Sequence, residues 1–305
     1  MASVTVDRVL RHGQSGYPAR LYRLHAPPPV LWARGPLPAD APRAVAVVGT
    51  RTATRSGLSA ARELAAGLAE RGIRIVSGLA GGIDGAEHRG ALDVGGETTA
   101  VLGSGLGFRY PAENGDLYDR LPVDGLILTE FAPDVPPARF TFPRRNRIVA
   151  ALADAVVVVQ AGRRSGALIT ADLALDIGVE VCAVPGDVAL AASAGCHALL
   201  RDGAPLVTCA ADVLDVLGWE TGGAPAAASE PRPRGIVLAR LDDGPAGLDE
   251  LTHLAGGVGA ASLQLARLEL AGEIEALPGG RYRRIPGEER ERRAGRAVRT
   301  QAVEP

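Results

Sequence analysis

The sequence predicts an α/β protein with a doubly wound, mainly parallel sheet, followed by a small helical domain. Three observations carry this prediction. From residue 44 to about 218, apolar or β-branched runs too short for helices alternate with stretches of helical periodicity. The strand-like runs end repeatedly in loops of Gly, Ser and Arg, at 49–51, 77–85, 103–105, 161–166 and 185–187. From about 235 to 285 the spacing changes to short helices and turns, closed by Gly279-Gly280.

Residues 1–43 contain YPARLYRLHAPPPVLWARGPLP. Tyr17-Pro18 and the prolines at 27–29 predict an extended N-terminal arm, anchored by Leu31 and Trp32. The domain at 44–218 opens on a βαβ unit. Residues 45–48 form a buried parallel strand and 73–76 a second. Between them Leu58, Ala61, Leu64, Ala65 and Leu68 mark a helix, with Thr54 or Ser56 as its cap and Gly72 as its stop. Further helices are predicted around 86–94 and 113–120, after Pro143, at 167–178 and near 197–201. Strands are predicted at 98–102, 126–131, 155–160, 179–184 and 205–207. Residues 219–234 have linker composition. Helices at 236–241, 247–255 and 260–271 and a Gly-Gly hairpin predict a winged-helix domain over 235–285. Residues 286–305 read as a disordered polar tail.

Composition excludes some function classes. No apolar run approaches the ~18 residues of a membrane span, and the first residues lack the pattern of a signal peptide. No membrane partner and a cytoplasmic location are expected. Cys182, Cys196 and Cys209 have neither metal nor disulfide spacing and read as buried thiols of a reducing compartment. The net charge of −2 does not announce nucleic acid, so local clustering has to carry that argument. All 33 basic residues are arginine, which lowers the weight of any single one.

The first turn, Gly49-Thr50-Arg51, lacks the G-x-G-x-x-G of a nicotinamide-binding turn, and the second strand ends in Ser77-Gly78 with no acid. Thr50 and Arg51 suit phosphate oxygens instead, and Gly78, Gly81, Gly82 and Gly85 make a second loop suited to an anion. Arg139, Phe140, Phe142, Arg144, Arg145, Asn146 and Arg147 crowd one segment. Cations with interleaved rings suit single-stranded nucleic acid. A helix N-terminus disfavours cations, so arginines clustered there require another partner. Ser165 and Gly166 open a helix whose amides suit a further phosphate. Asp84, Glu87 and His88 accompany no recognisable nucleophile and are expected to be structural, Asp84 bonding loop amides and His88 a strand-end carbonyl. Neither a cofactor nor a metal site is indicated.

The segments VVGTR, SGLAGGIDGAEHRGAL, VLGSGL with YPAEN, FPRRNRI, SGALITADLAL, AVPGD and DGAPLV resemble, in order and spacing, the DprA/Smf family (DNA-processing protein A). The resemblance spans nearly all of 44–218; the lead-in matches, and the C-terminal fifty residues look like the family's optional winged helix. It implies an extended Rossmann-like domain, with no enzymatic activity, that binds single-stranded DNA and forms homodimers. It further implies protection of incoming DNA and its delivery to RecA recombinase during natural transformation. Duplex DNA is left open as a second partner. By motif, Arg51 beside Gly49 and Thr50 would hold a phosphate, and Gly78, Gly81 and Gly82 would admit the DNA backbone. Arg139 and Phe142 would contact backbone and base, with Arg144, Arg145, Asn146 and Arg147 completing the pocket and Ser165 and Gly166 adding a phosphate site. The roughly fifteen residues before Gly16 hold no helical domain of the sterile-alpha-motif type that many members carry.

Two rival functions stand beside this one. A phosphoribohydrolase-like nucleotide enzyme would need a Pro-Gly-Gly-x-Gly-Thr run, which Pro185-Gly186-Asp187 does not supply. A winged-helix reader of duplex DNA would rely on Ser262, Gln264 and Arg267, in a helix otherwise dominated by Leu263, Leu265, Leu268 and Leu270. Leu199, Leu200, Val213, Leu214 and Leu217 are candidates for a dimer surface, and most of them equally suit the core.

Overall fold

The computed structural model describes residues 8–38, 42–219, 240–241, 244–254, 265, 268–269 and 274–285. The chain divides into two compact units, Met1–Ala224 and Pro225–Pro305.

The first unit is built on an eight-stranded sheet. Its strands are β1 (Arg8–Arg11), β2 (Val30–Arg34), β3 (Ala44–Gly49), β4 (Arg74–Ser77), β5 (Thr98–Val101), β6 (Leu126–Thr129), β7 (Ala155–Gln160) and β8 (Glu180–Ala183). They lie in the order β1-β2-β6-β5-β4-β3-β7-β8. From β6 to β8 every pairing is parallel, and β1 and β2 join antiparallel at one edge. Strands buried on both faces carry apolar side chains at every position, as Ala44 to Val48 do. Alternation sends Ala44, Ala46 and Val48 into one core and Val45 and Val47 into the other.

Helices cover both faces. On one lie α1 (Arg55–Ala69), α2 (Ile83–Asp93), α3 (Gly115–Asp124) and α7 (Ala210–Val216). On the other lie α4 (Thr141–Leu152), α5 (Gly166–Asp176) and α6 (Ala194–Arg201). Thr54 caps α1, its hydroxyl accepting from the Gly57 amide at 3.1 Å. Pro143, expected to precede α4, lies inside its first turn, where the missing N–H has no helical partner to lose.

The N-terminal segment differs from the extended arm expected of it. It contributes β1, β2 and a short 3-10 turn, Ala19–Arg23, and it fully buries Leu21 and Leu31. The strand expected at 205–207 reduces to a single bridge between Leu206 and Ala183. Of the residues offered either for a dimer surface or as core, Val213 and Leu214 are core on the inner face of α7, whereas Leu199, Leu200 and Leu217 are half-buried. One expectation about exposure is corrected. Cys209 is exposed, and only Cys182 and Cys196 are buried thiols, pushed by burial up to about 12 and about 11.

In the second unit, β9 (Ala246–Gly247), β10 (Ile274–Leu277) and β11 (Arg281–Arg284) form an antiparallel sheet in the order β10-β11-β9, beside α8 (Leu248–Leu254). Leu241, Ala246, Leu251, Leu265 and Ile274 make its core. The linker after residue 219, most of the first and third expected helices, with Ser262, Gln264 and Arg267, and the tail at 286–305 lie outside the described residues.

Candidate nucleic-acid interface

Connections from β3 run outward through β4, β5 and β6, and the chain then crosses back to place β7 on the other side of β3. The strand order therefore reverses at β3, and in open parallel sheets ligands bind outside the carboxyl ends at such a point. An open cleft of about 520 Å³ lies there. It is bordered by the turn after β3, the loop after β4, the start of α4 and the first turns of α5.

The turn after β3 is held from within. The Thr50 amide donates to the Gln160 carbonyl at 2.7 Å, and the Ile83 amide donates to the Thr50 carbonyl at 3.3 Å. The Gln160 side chain accepts from the Thr54 amide at 2.9 Å and donates to the Thr54 hydroxyl at 3.0 Å. Gly49 packs against Ile83 and the Gln160 carbonyl. Arg51 is left exposed at the apex, with no hydrogen bond or ion pair among the described residues. Its guanidinium lies 4.8 Å over the Phe142 ring. Phe142 in turn lies 5.7 Å from the ring of Tyr110. The Tyr118 hydroxyl holds Tyr110 in place by donating to its carbonyl at 2.8 Å and accepting from its amide at 3.1 Å.

The arginines at the start of α4 part company. Arg139 is exposed, borders the cleft and has no ion pair among the described residues. Phe140, 72% exposed, stands free beside it. Arg145 is 3% exposed. It donates to the Val101 carbonyl and faces Asp84, and burial brings it down to about 10 against the pull of that acid. Arg147 donates to the Ala26 carbonyl at 2.8 Å and pairs with Glu130 at 2.5 Å. Arg144 pairs with the same carboxylate at 3.1 Å. The partner that cations at a helix N-terminus require is thus the protein itself for three of them. Arg145 belongs beneath the cleft rather than on its face, and Arg144 and Arg147 do not border it. Asn146 does border it and donates to the Gly166 carbonyl at 3.3 Å.

The glycines of the loop after β4 also answer to the protein. A Cβ at Gly78 would fall on the Arg145 guanidinium, one at Gly81 on Glu113 Oε1, and one at Gly82 on the carbonyls of Thr50 and Arg51. Gly82 has φ of 72°, which only glycine adopts freely. They make room for internal groups rather than for an approaching DNA backbone; Gly78 borders the main cleft, whereas Gly81 and Gly82 do not. Asp84 accepts from the amides of Gly78 at 3.2 Å and Ala80 at 3.3 Å. Asn114, 2% exposed, donates to the carbonyls of Leu79 and Ala80 at 3.1 and 2.9 Å. The loop is clamped from both sides, with Leu79 held at φ 57°.

Beneath it lies a buried polar cluster. His88 Nδ1 is 2.7 Å from the Thr98 hydroxyl, which donates to the Ile75 carbonyl at 3.0 Å; the expected link to a strand carbonyl is indirect. His88 Nε2 is 3.2 Å from Glu87 Oε1. Burial, with Arg145 and Arg89, holds His88 down at about 3, so it is neutral. Burial, reinforced by Asp84, holds Glu87 well above the usual carboxylate range. Neither Glu87 oxygen nor His88 Nε2 has a hydrogen-bond partner among the described residues, so the two side chains meet without a bond between them.

On the far wall Ser165 caps α5, its hydroxyl accepting from the Ala167 amide at 3.4 Å. Gly166 and Thr170 border the cleft there. Of the residues expected from the sequence, Gly49, Thr50, Arg51, Gly78, Arg139, Phe142, Arg145, Asn146, Ser165 and Gly166 converge on one cleft. Sequence reasoning missed Tyr110, Gln160 and Asn114. Tyr110 and Asn114 sit in YPAEN, a run with an aromatic and an amide whose partners are visible only once β4 and β5 lie side by side.

A family model described as DNA recombination-mediator protein A matches residues 8–218, and one described as the DprA winged helix domain matches residues 222–280. Protein Smf of Escherichia coli is 39% identical over 281 residues, which is 88% of this chain and 75% of that protein. The crystal structure of DNA processing protein A from Streptococcus pneumoniae aligns with a TM-score of 0.65 at 41% identity, over 68% of this chain and 73% of that one. DNA processing protein A of Helicobacter pylori, described for its single-stranded DNA binding mode, aligns with a TM-score of 0.62 at 30% identity, over 71% of this chain and 98% of that one. An extended Rossmann-like domain, a winged helix after it and relatives of this closeness place the chain in the DprA/Smf family of DNA-processing, recombination-mediator proteins.

Proposed function

We propose that the cleft at the carboxyl ends of β3, β4 and β7 binds single-stranded DNA. The observation that carries this reading is the convergence on one open cleft of two guanidiniums without ion pairs among the described residues, Arg51 and Arg139, with the tilted ring pair of Phe142 and Tyr110. Arg51 and Arg139 engage phosphates, the free amide of Gly166 at the start of α5 takes another, and Phe142 offers a face to a base. Asn146 and Ser165 shape the α5 side, and Arg145 and the glycine loop form the floor. The single-stranded DNA binding described for the H. pylori relative supports the choice of ligand.

The protein acts by binding rather than by catalysis. Asp84, the acid that borders the cleft, is tied to the amides of Gly78 and Ala80, and Glu87 and His88 behind it are fully buried. Family membership supports a cytoplasmic role in which a homodimer shields incoming single strands and helps load RecA recombinase during natural transformation.

Anisotropy of a labelled oligo-dT with the full chain, at several salt concentrations, tests the reading. Contact with about three to five phosphates gives a slope of log K against log[salt] of roughly −2 to −3.5. Arg51→Ala weakens binding and reduces that slope by about one phosphate's share, because it removes a single backbone contact. Affinity indifferent to salt, or unchanged by Arg51→Ala, overturns it.

A further inference from the structure

Behind the wall formed by Arg51, Phe142 and Tyr110 lies a second cavity of about 230 Å³. The three wall side chains border both this cavity and the main cleft. At under the ~300–1,000 Å³ of drug-sized sites it suits a single heterocycle. Leu79, Leu102 and Pro111 supply apolar surface, and Ser104 and Glu113 are its polar side chains.

Both polar groups are unspent. Ser104 is 2% exposed, and its hydroxyl makes no hydrogen bond among the described residues. Glu113 lies over Gly81, where only the lack of a Cβ leaves room for its carboxylate. That carboxylate has no hydrogen bond or ion pair among the described residues; Arg89 bonds only the Glu113 backbone carbonyl, at 3.3 Å. A carboxylate beside a strand-binding cleft repels phosphate. The part of a nucleotide that it attracts is a base edge bearing N–H groups.

Resting on the single-strand reading of the main cleft, we infer that this cavity receives one unstacked guanine of the bound strand. Guanine presents two adjacent donors, N1–H and the N2 amine, to the two oxygens of Glu113. Thymine presents only N3–H. Ser104, at the buried end, supplies a hydroxyl for the remaining edge of the base. Arg51 and Phe142 then do two things at once, Arg51 meeting a phosphate and Phe142 a neighbouring base in the main cleft while together they close the cavity over the guanine.

The test uses the full chain and three oligonucleotides of equal length: all-dT, dT with one central dG, and dT with one central deoxyinosine, which keeps N1–H and lacks the N2 amine. The dG strand binds roughly ten- to a hundredfold more tightly than all-dT, as a bidentate base contact gives, with deoxyinosine between them. In Glu113→Ala, whose exposed side chain makes no internal bond, the dG preference collapses, and Ser104→Ala reduces it. Equal affinity for dG and dT strands, or a dG preference that survives Glu113→Ala, overturns the inference while leaving the cleft intact. Loss of the cleft reading itself would show as all-dT binding that ignores salt or Arg51.

Discussion

Arg51 and Arg145 lie on opposite sides of one glycine loop and show how burial divides a single residue type between two jobs. Arg51 stands in solvent over an aromatic ring with no ion pair, a charge free to meet a phosphate. Arg145 is sealed beneath Gly78, facing Asp84 and bonded to a strand carbonyl. The exposed cation costs the fold little and is available to a ligand. The buried one is committed, and its removal is felt by the fold first. A basic cluster read along the chain mixes the two kinds; only depth separates them.

The largest effect that tests this contrast is on Arg145. Arg145→Leu removes the bond to the Val101 carbonyl and the positive charge that faces Asp84, and lowers stability by about 1.5–3 kcal/mol, as loss of a buried hydrogen bond from a charged group does. Urea unfolding reads this directly; a loss below about 1 kcal/mol, the range of exposed pairs, would place Arg145 with the surface arginines. Phe142→Ala comes next. On the proposed single-strand reading it removes a ring offered to a base and lowers single-strand affinity by about 1–3 kcal/mol in anisotropy titrations. Unchanged affinity would return Phe142 to a packing role against Gly103.

Glu87→Gln sharpens the comparison from the floor's side. Because the folded chain holds Glu87 protonated above the usual carboxylate range, the unfolded chain ionises first, and stability is lost as pH rises through that window. His88 works in the opposite sense. Depressed from 6.5 to about 3, it contributes stability that is present above 6.5 and lost as pH falls toward 3. Glutamine keeps the shape without the titration. Relative to the parent it gains stability as pH rises from about 5 to about 8. A difference in unfolding free energy that does not vary with pH would put the proton elsewhere. The smallest effect falls on Arg144, 58% exposed and sharing Glu130 with Arg147. Arg144→Ala costs under about 0.5 kcal/mol in thermal or urea unfolding, since Arg147 keeps the carboxylate paired.

Much of this architecture was legible before any coordinates, because parallel βαβ units advertise themselves locally. Ala44 to Val48 is apolar at every position, and α1 carries its stripe and its cap within one stretch. β1 and β2 were not legible. They are short strands beside prolines; β2 is a strand because it pairs with β6, nearly a hundred residues away, and β1 is the edge that pairs with β2. At the site, residue types pointed to the cleft, whereas side-chain direction did not follow from clustering. Yet the sequence held a signal for Arg145. With Ile148, Val149 and Leu152 it completes the i, i+3, i+4, i+7 stripe of α4's buried face. Arg144 and Arg147 fall off that stripe. No comparable local signal exists for Tyr110 or Asn114, whose partners come from other elements.

The far end of α4 adds something that the cleft alone does not suggest. Arg20 donates to the Leu152 carbonyl at 2.9 Å and Arg23 to the Ala153 carbonyl at 3.2 Å. Arg20 also grips Asp154 at 2.8 Å, whose carboxylate accepts from the Ala44 amide at 2.9 Å. The helix that presents Phe142 to the cleft is therefore bolted at its opposite end to the amino-terminal segment and to the first residue of β3. With a strand bound as proposed, a mechanical load applied at the cleft travels lengthwise down α4 as along a tie-rod. It is borne by β3, an inner strand of the sheet, instead of by the loops that border the cleft.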